Sequence, residues 1–411
     1  MPQHPFLLFP SPAAVDPARR GGGGGTVVTP TAAQQRQRLD QKFKDISTAI
    51  SNVQPTTQGL EPEQVIVLET VGDDISKLAD AAKKIPGLEW LAELDLDDYA
   101  GDEIFHDVKK PETSLTHRLY ALMTNQRAMT ELLSLWNSWL ADSTTRARTG
   151  FGPFKDLFIH LSDVRRWGAK DRIDQTWLVE NWKFELEANP SRPVRFEAEL
   201  WFRRLQSTRN SAHGQLLRLV QAQGGRSMAQ VAIESILYHG VLLEMPAAAV
   251  LTMLRQIEDA KYTDLLNCEG VMFFRPLGQA RFPAAATEAT RFEVAERPDA
   301  LLPQGNPRAA LLDGLPIARH AYLNDRILVD DPDGLSARYD GTQQCHGTAM
   351  ASLIVQGDLH EAGEPLKSPL YARPILVPEQ DSTGESNEVT PSDVLLIDLL
   401  HRAIHRIATE L

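Results

Sequence analysis

Cysteine is scarce in this chain of 411 residues, which contains only Cys268 and Cys345. A secreted protein of this length that relied on disulfides would need many more cysteines, and these two could form one bridge at most. The scarcity therefore favours a reducing, cytoplasmic location.

Long apolar runs and an excess of basic residues are also missing. No stretch approaches the ~20 apolar residues of a membrane-spanning helix, and the apolar patch at residues 6–9 lacks the basic segment that opens a signal peptide. Lys and Arg number 42 against 55 Asp and Glu, a formal net charge of −13. Because binding to nucleic acid or anionic lipid needs clustered positive charge, we expect neither a nucleic-acid nor a membrane partner.

The composition, 42% hydrophobic and 24% charged, is that of a globular protein. At roughly 150 residues per domain, the length predicts two or three domains. Residues 1–33, with five consecutive glycines, are predicted to form a flexible tail. Residues 34–276 are predicted to form a large α+β region. A proline-rich linker at 277–305 would then lead to a separate α/β domain at 306–411.

Within the α+β region, a strand–helix–strand pattern occurs twice, at residues 60–110 and 194–276. In the first module, β-branched and apolar runs predict strands at 65–69 and 88–94, with a helix at 75–85 between them. In the second, the same signals predict strands at 196–202, 238–244 and 270–274 and helices at 214–223 and 247–257. We expect helices to cover one face of each small sheet.

A helical insert is predicted between the two modules. Residues 115–140 place apolar side chains at helical spacing, which predicts one long helix capped by Thr113 or Ser114. Near the end of the sequence, residues 374–377 are predicted to form a strand, and Ser392 to cap an amphipathic helix.

The first candidate catalytic residues lie in the predicted last domain. Residues 309–312 form a short apolar run that ends at Asp313, as in a buried parallel strand whose end delivers a carboxylate to a crevice. By itself this is also the pattern of an ordinary turn. Further along, His346 begins a segment of small residues that continues as a predicted helix. A neutral imidazole can accept the proton of an attacking hydroxyl, and a buried carboxylate can orient that imidazole.

Residues 346–351 (His-Gly-Thr-Ala-Met-Ala) resemble the histidine motif of subtilisin-like serine proteases, the subtilases, and the strand ending at Asp313 resembles their aspartate motif. The order of the two residues and their spacing also match that family. The resemblance implies a parallel-sheet catalytic domain that hydrolyses polypeptide substrates, with Asp313 orienting His346 as general base. It implies no cofactor and no metal, and it leaves the substrate-binding residues unassigned.

Two features depart from the family pattern. Subtilases usually have Ser or Thr between the aspartate and the glycine, whereas Gly314 follows Asp313 directly. No Gly-Thr-Ser segment carrying the nucleophile occurs, and the family's His-to-Ser spacing of roughly 160 residues exceeds the length of chain after His346. We therefore expect residues 306–411 to be a truncated catalytic domain and this chain to be inactive alone.

The resemblance extends to partners. Bacterial cytoplasmic subtilases with a large N-terminal region occur alongside an ATPase partner, some of them in anti-phage defence, which implies an ATPase as one partner here. Subtilase pro-regions are often small α+β modules. An alternative function is therefore that of a catalytically inactive interaction or regulatory protein, whose N-terminal modules bind a partner or mask a protease cleft.

Two sets of residues suggest metal binding, and we weigh each against a simpler interpretation. His401 and His405 have the spacing of a zinc-binding helix, but Arg402 stands where the metalloprotease motif has Glu, so a solvated helix edge is expected. Three aspartates could ligate calcium, but no downstream Glu completes the pattern, so a turn is expected; they are Asp330, Asp331 and Asp333.

We expect structural roles for the other polar residues near the two motifs. Cys345 could be a thiol nucleophile activated by the adjacent His346. However, neighbours in sequence point in different directions, so a small buried residue is the expected role. His320, Asn324 and Asp325 are expected to shape the rim of the site.

Overall fold

The computed structural model describes residues 27–52, 63–72, 75, 77–143, 149–277, 281–283, 301–341, 343–357, 364–380 and 386–410. Most of the predicted tail and most of the predicted linker lie outside the described residues. The chain divides into two compact units, Met1–Trp167 and Gly168–Leu411. Within the described ranges, no helix is long and apolar enough to cross a membrane.

The first unit is built on an antiparallel sheet. In chain order its elements are β1 (Val27–Val28), α1 (Ala32–Asn52), β2 (Gln64–Val71), α2 (Leu78–Ala82), β3 (Leu88–Asp95), β4 (His106–Asp107), β5 (His117–Thr124), α3 (Gln126–Ala141), α4 (Gly152–His160) and β6 (Leu161–Arg166). The sheet has four strands in the order β3-β5-β2-β6. The sheet therefore includes two strands, β5 and β6, that lie beyond residue 110, the predicted end of the first module.

Aromatic side chains from three helices form the centre of this unit's core. The ring of Trp136 on α3 lies 4.8 Å from Phe43 on α1 and 5.3 Å from Phe158 on α4, measured between centroids. All three side chains are almost fully buried. Their burial explains why these helices pack on the sheet, since each aromatic removes a large apolar area from water.

The prediction of one long helix at residues 115–140 is wrong. Residues 117–124 form β5, between β2 and β3, and α3 begins only after Asn125, whose side chain accepts a hydrogen bond from the Ala128 N–H at 2.9 Å. A central strand buried on both faces is apolar at nearly every position. Its apolar residues therefore also fit helical spacing, and only the pairing with other strands decides between the two structures.

The second unit begins with another antiparallel sheet covered by helices. Its elements are α5 (Ala169–Ile173), α6 (Leu178–Ala188), β7 (Val194–Leu200), α7 (Gln206–Ala222), β8 (Arg226–Ile233), β9 (Tyr238–Met245), α8 (Ala247–Glu258), β10 (Val271–Pro276) and β11 (Arg281–Pro283). The strand order β10-β7-β9-β8 is antiparallel throughout. The strands and helices predicted between residues 196 and 274 are present, mostly with shifts of one or two residues at their ends. Helix α7 begins eight residues earlier than predicted, and β8 was not predicted.

The remainder of the second unit is a smaller α/β arrangement. Its elements are β12 (Ala309–Asp313), β13 (Ile327–Val329), α9 (Cys345–Gln356), β14 (Leu370–Pro374), β15 (Val377–Gln380), β16 (Ser386–Val389) and α10 (Leu396–Glu410). Strands β12, β14 and β13 form a parallel sheet in that order. Strands β11, β16 and β15 form a separate antiparallel sheet. The chain is thus a mixed α and β protein with several small sheets, one of them parallel.

Two boundaries in this part differ from the predictions. The strand predicted at 374–377 lies at Leu370–Pro374, because the buried residues 370–372 pair with β12 and β13, and a proline cannot donate to continue the ladder. Helix α10 begins at Leu396. Ser392 lies one turn earlier, where its hydroxyl accepts a hydrogen bond from Arg195 Nη1 at 3.2 Å instead of capping the helix.

Candidate active site

Asp313 is the last residue of β12 and is only 7% exposed. The parallel sheet fixes the backbone of Asp313. The Asp313 carbonyl oxygen accepts the N–H of Ile375, just past the end of β14, at 2.7 Å. Its Oδ1 accepts the N–H of Gly314 at 2.6 Å. The carboxylate therefore projects from the carboxyl end of a parallel strand, where α/β sheets place functional groups.

His346 is the second residue of α9, and its imidazole meets the carboxylate of Asp313. The Nδ1 atom lies 2.6 Å from Asp313 Oδ1, although the two residues are 33 positions apart. The His346 side chain is 23% exposed and the Asp313 side chain 9%. A carboxylate at Nδ1 favours the tautomer that carries its proton there, which leaves the lone pair on Nε2. The arrangement can therefore accept a proton at Nε2 and stabilise the imidazolium that results.

Gly347 allows α9 to approach the end of β12 this closely, and Gly314 leaves room for the side chain of Glu388. A Cβ atom on Gly347 would lie 2.1 Å from the carbonyl oxygen of Gly314, and a Cβ atom on Gly314 would lie 1.9 Å from Glu388 Oε1. At Gly347 the obstacle is backbone, so the position has no room for a side chain. At Gly314 the obstacle is the carboxyl group of Glu388, which would have to move to admit a side chain.

Thr348 joins the helix to the loop that follows β12. Its hydroxyl oxygen accepts the N–H of Ile317 at 2.9 Å and donates to the carbonyl oxygen of Gln344. The third residue of the histidine motif thus holds the segment after Asp313 against the first turn of α9.

Glu388 on β16 is a further site residue, and no pattern in the sequence indicated it. Its Oε2 accepts the backbone N–H of His346 at 2.7 Å, and the residue is 3% exposed. Burial raises the pKa of the Glu388 carboxyl above its usual value, and the nearby charge of Asp313 raises it further. Glu388 lies in a short polar segment with no recognisable motif, so only the fold reveals its position.

Tyr339 lies beside this buried carboxyl. Its hydroxyl donates to the carbonyl oxygen of Leu376 at 2.9 Å, and burial together with the charge of Glu388 raises the pKa of the Tyr339 phenol. The phenol is therefore a hydrogen-bond donor at neutral pH and not a source of negative charge.

The other residues considered near the motifs have local roles. Cys345 is the first residue of α9 and is half-buried. In the loop after the aspartate motif, His320 Nδ1 accepts the N–H of Tyr322 at 3.4 Å, and Asn324 donates to the Asp325 carboxylate at 2.8 Å.

The three aspartates weighed as calcium ligands bind protein groups. Asp330 accepts from Arg406 Nε at 2.6 Å and from the Tyr371 hydroxyl at 2.7 Å. Asp331 accepts two backbone N–H groups, and Asp333 accepts from Arg373 at 2.6 Å and also from Arg402. Asp330 and Asp333 hold α10 to the sheet, and Asp331 holds the turn that follows it. Their oxygens are thus engaged by protein groups and do not converge on one point as calcium ligands would.

The two histidines considered for zinc do not form a site with a third ligand. Their ring centroids are 6.2 Å apart, and His401 Nε2 lies 3.4 Å from Ser235 Oγ. In the part of the chain that the structure describes, no group of three or more His, Cys, Asp or Glu could hold a metal ion.

No protein-family model matches the chain, and no match is found among curated proteins. The residues and their geometry are therefore the basis on which a function is assigned.

Proposed function

We propose that this chain carries the aspartate and the histidine of a subtilisin-like serine endopeptidase. The observation that supports the proposal is the 2.6 Å contact between His346 Nδ1 and Asp313 Oδ1, between residues whose motifs and order resemble those of subtilases. The carboxylate lies at the end of a parallel strand and the imidazole on the first turn of α9, which is consistent with such a site.

In the proposed reaction, His346 acts as general base and then as general acid. Its Nε2 takes the proton of a serine hydroxyl as the serine oxygen attacks the peptide carbonyl, and it later gives that proton to the departing amine. Asp313 holds the imidazole in the required tautomer and stabilises the positive charge that develops.

The reaction also requires a nucleophile, which the family carries in a Gly-Thr-Ser segment that these 411 residues do not contain. Without it, the pair has no hydroxyl to activate, and we expect negligible peptidase activity from the chain as given. The proposal retains a cytoplasmic location, a polypeptide substrate and an ATPase partner.

Labelling with a serine-directed fluorophosphonate tests the proposal. The 411-residue chain alone should not be labelled, whereas the same chain supplied with a Gly-Thr-Ser segment from a subtilase catalytic domain should be. His346→Ala and Asp313→Asn should abolish or strongly reduce that labelling, and His405→Ala on the exposed side of α10 should not. Labelling that survives His346→Ala would overturn the proposal, as would the absence of labelling once the segment is supplied.

A second candidate function is regulation of a protease by the antiparallel modules. Its support is that the backbone of Arg281–Pro283 pairs with β16, the strand that carries Glu388 to the site. In addition, Arg192 pairs with Glu379 at 3.2 Å and Arg195 contacts Ser392, so the β7 sheet is joined to the part that carries the site. Inhibition of a subtilisin-type protease by the purified chain in trans would favour this function. Absence of inhibition at saturating concentration would count against it.

A further inference from the structure

Glu388 supplies the hydrogen bond that the first turn of α9 lacks within the helix itself. The N–H groups of a helix's first turn have no partner inside the helix. Gln344, the residue before α9, makes no capping bond with its side chain. Glu388 Oε2 instead accepts the N–H of His346 at 2.7 Å, from 42 positions further along the chain. A carboxylate at a helix N-terminus also interacts favourably with the helix dipole.

The same side chain contacts the residue that follows Asp313. Glu388 Oε1 occupies the space beside Gly314, so close that a Cβ atom there would be 1.9 Å away. One carboxyl group thus contacts the backbone next to Asp313 and the backbone of His346 itself. These are the two chain segments whose side chains must meet at Nδ1 and Oδ1.

The surroundings of Glu388 leave it little freedom. Strand β16 is the central strand of its sheet, and Glu388 is registered against Phe282 on β11 and Pro378 on β15. At 3% exposure the side chain is enclosed, and a buried carboxyl group depends on its hydrogen-bond partners to remain there. The ionisable groups around it are Asp313, His346 and Tyr339.

We propose that Glu388 is the positioning residue of the Asp313–His346 pair: it fixes the backbone of His346 against the end of β12 and thereby sets the contact between imidazole and carboxylate. Glu388 itself does not contact the reacting atoms. The inference rests on the proposed role of the pair, but its test needs no nucleophile.

The test follows the hydrogen-bonded Nδ1 proton of His346 by NMR in the full 411-residue chain. We expect a strongly downfield proton signal in the wild type that disappears in His346→Ala, which assigns it. Glu388→Ala should increase the exchange of this proton with water by about tenfold or more, because a hydrogen bond to a charged or buried group is lost. Glu388→Gln keeps an acceptor of the same length and should restore slow exchange. Glu379→Gln, on neighbouring β15, removes only an exposed ion pair with Arg192, and as the matched control it should leave this exchange unchanged.

The outcomes separate this inference from the proposed function. If the wild type shows the signal and Glu388→Ala leaves its exchange unchanged, the positioning role is wrong while the pair stands. If the wild type shows no such signal, the Asp313–His346 pair is not formed, and both the proposed function and the positioning role of Glu388 are wrong. Loss of the signal in Glu388→Gln as large as in Glu388→Ala would also overturn the inference. If Glu388→Ala does not fold, Glu388→Asp replaces it in the test. Its side chain is one methylene too short to reach His346, so it too should increase the exchange of the Nδ1 proton.

Discussion

The Nδ1 atom of His346 lies 2.6 Å from Oδ1 of Asp313 across 33 residues of chain. The contact depends on a parallel strand that ends at the aspartate, on a helix that begins one residue before the histidine, and on Gly347, which lets the helix approach the end of the strand. Each of these features can be changed separately.

The carboxylate of Asp313 should determine the tautomer of His346. Asp313→Asn replaces an acceptor by an amide that can also donate, so we expect the population with the proton on Nδ1 to fall. The ¹⁵N chemical shifts of labelled histidine at neutral pH measure this population directly. Asp325→Asn, in the loop after the site, is the control and should leave the shifts of His346 as they are. An unchanged tautomer in Asp313→Asn would contradict the assigned geometry.

Gly347 should tolerate no side chain. Gly347→Ala would place a Cβ atom 2.1 Å from the carbonyl oxygen of Gly314, so α9 must move away from β12. Overpacking of this kind costs about 1–3 kcal/mol of unfolding free energy, and urea unfolding measures it. Gly341→Ala, where a Cβ atom would meet nothing within 4 Å, is the matched control. Equal stability of the two variants would show that the close approach does not exist.

The buried cation Arg373 should be essential for the packing of α10. Its side chain is 2% exposed and its guanidinium lies 2.6 Å from Asp333, which also binds Arg402 on the helix. Arg373→Met leaves the Asp333 carboxylate without its buried partner, which typically costs about 3–5 kcal/mol. In the control, Lys367→Met removes a fully solvated ion pair with Glu364 and should leave the urea midpoint unchanged. A midpoint for Arg373→Met equal to that of this control would refute the prediction.

His239 should make the protein less stable in mild acid. It is 1% exposed on β9, and burial, assisted by the charges of His213 and Arg209, lowers the pKa of its imidazole to about 4. In the unfolded chain the imidazole titrates near 6.5, so between these values the unfolded state binds more protons. Stability should therefore fall as the pH drops from about 6.5 towards 4, by up to about 1.4 kcal/mol per pH unit.

Comparing His239→Gln with the wild type isolates that contribution. Urea unfolding at about pH 7 and about pH 5 should show a smaller loss of stability in His239→Gln than in the wild type. His405→Gln, at an exposed helix position, should follow the wild type. Identical pH dependence in the wild type and His239→Gln would mean that His239 is not buried as a neutral group.

Local periodicity allowed several strands and helices of the antiparallel sheets to be predicted, but not how the strands pair. The alternation and apolar runs around β7 and β9 and the helical spacing of α8 are properties of neighbouring residues, and they correctly indicated those elements. The same signals failed at β5, because a strand buried on both faces has no alternation to detect. Whether residues 117–124 become strand or helix depends on β2 and β3, which lie elsewhere in the chain.

The sequence by itself determined which two residues to pair, because the motifs around Asp313 and His346 have a recognisable order and spacing. Only the tertiary structure decided that they touch, that Gly347 makes this possible, and that Glu388 accepts the backbone N–H of His346. It also decided that Asp330 and Asp333 bind the side chains of arginines. The physical reason is that these contacts join segments brought together by sheet pairing and helix packing, and such contacts leave no local pattern in the sequence.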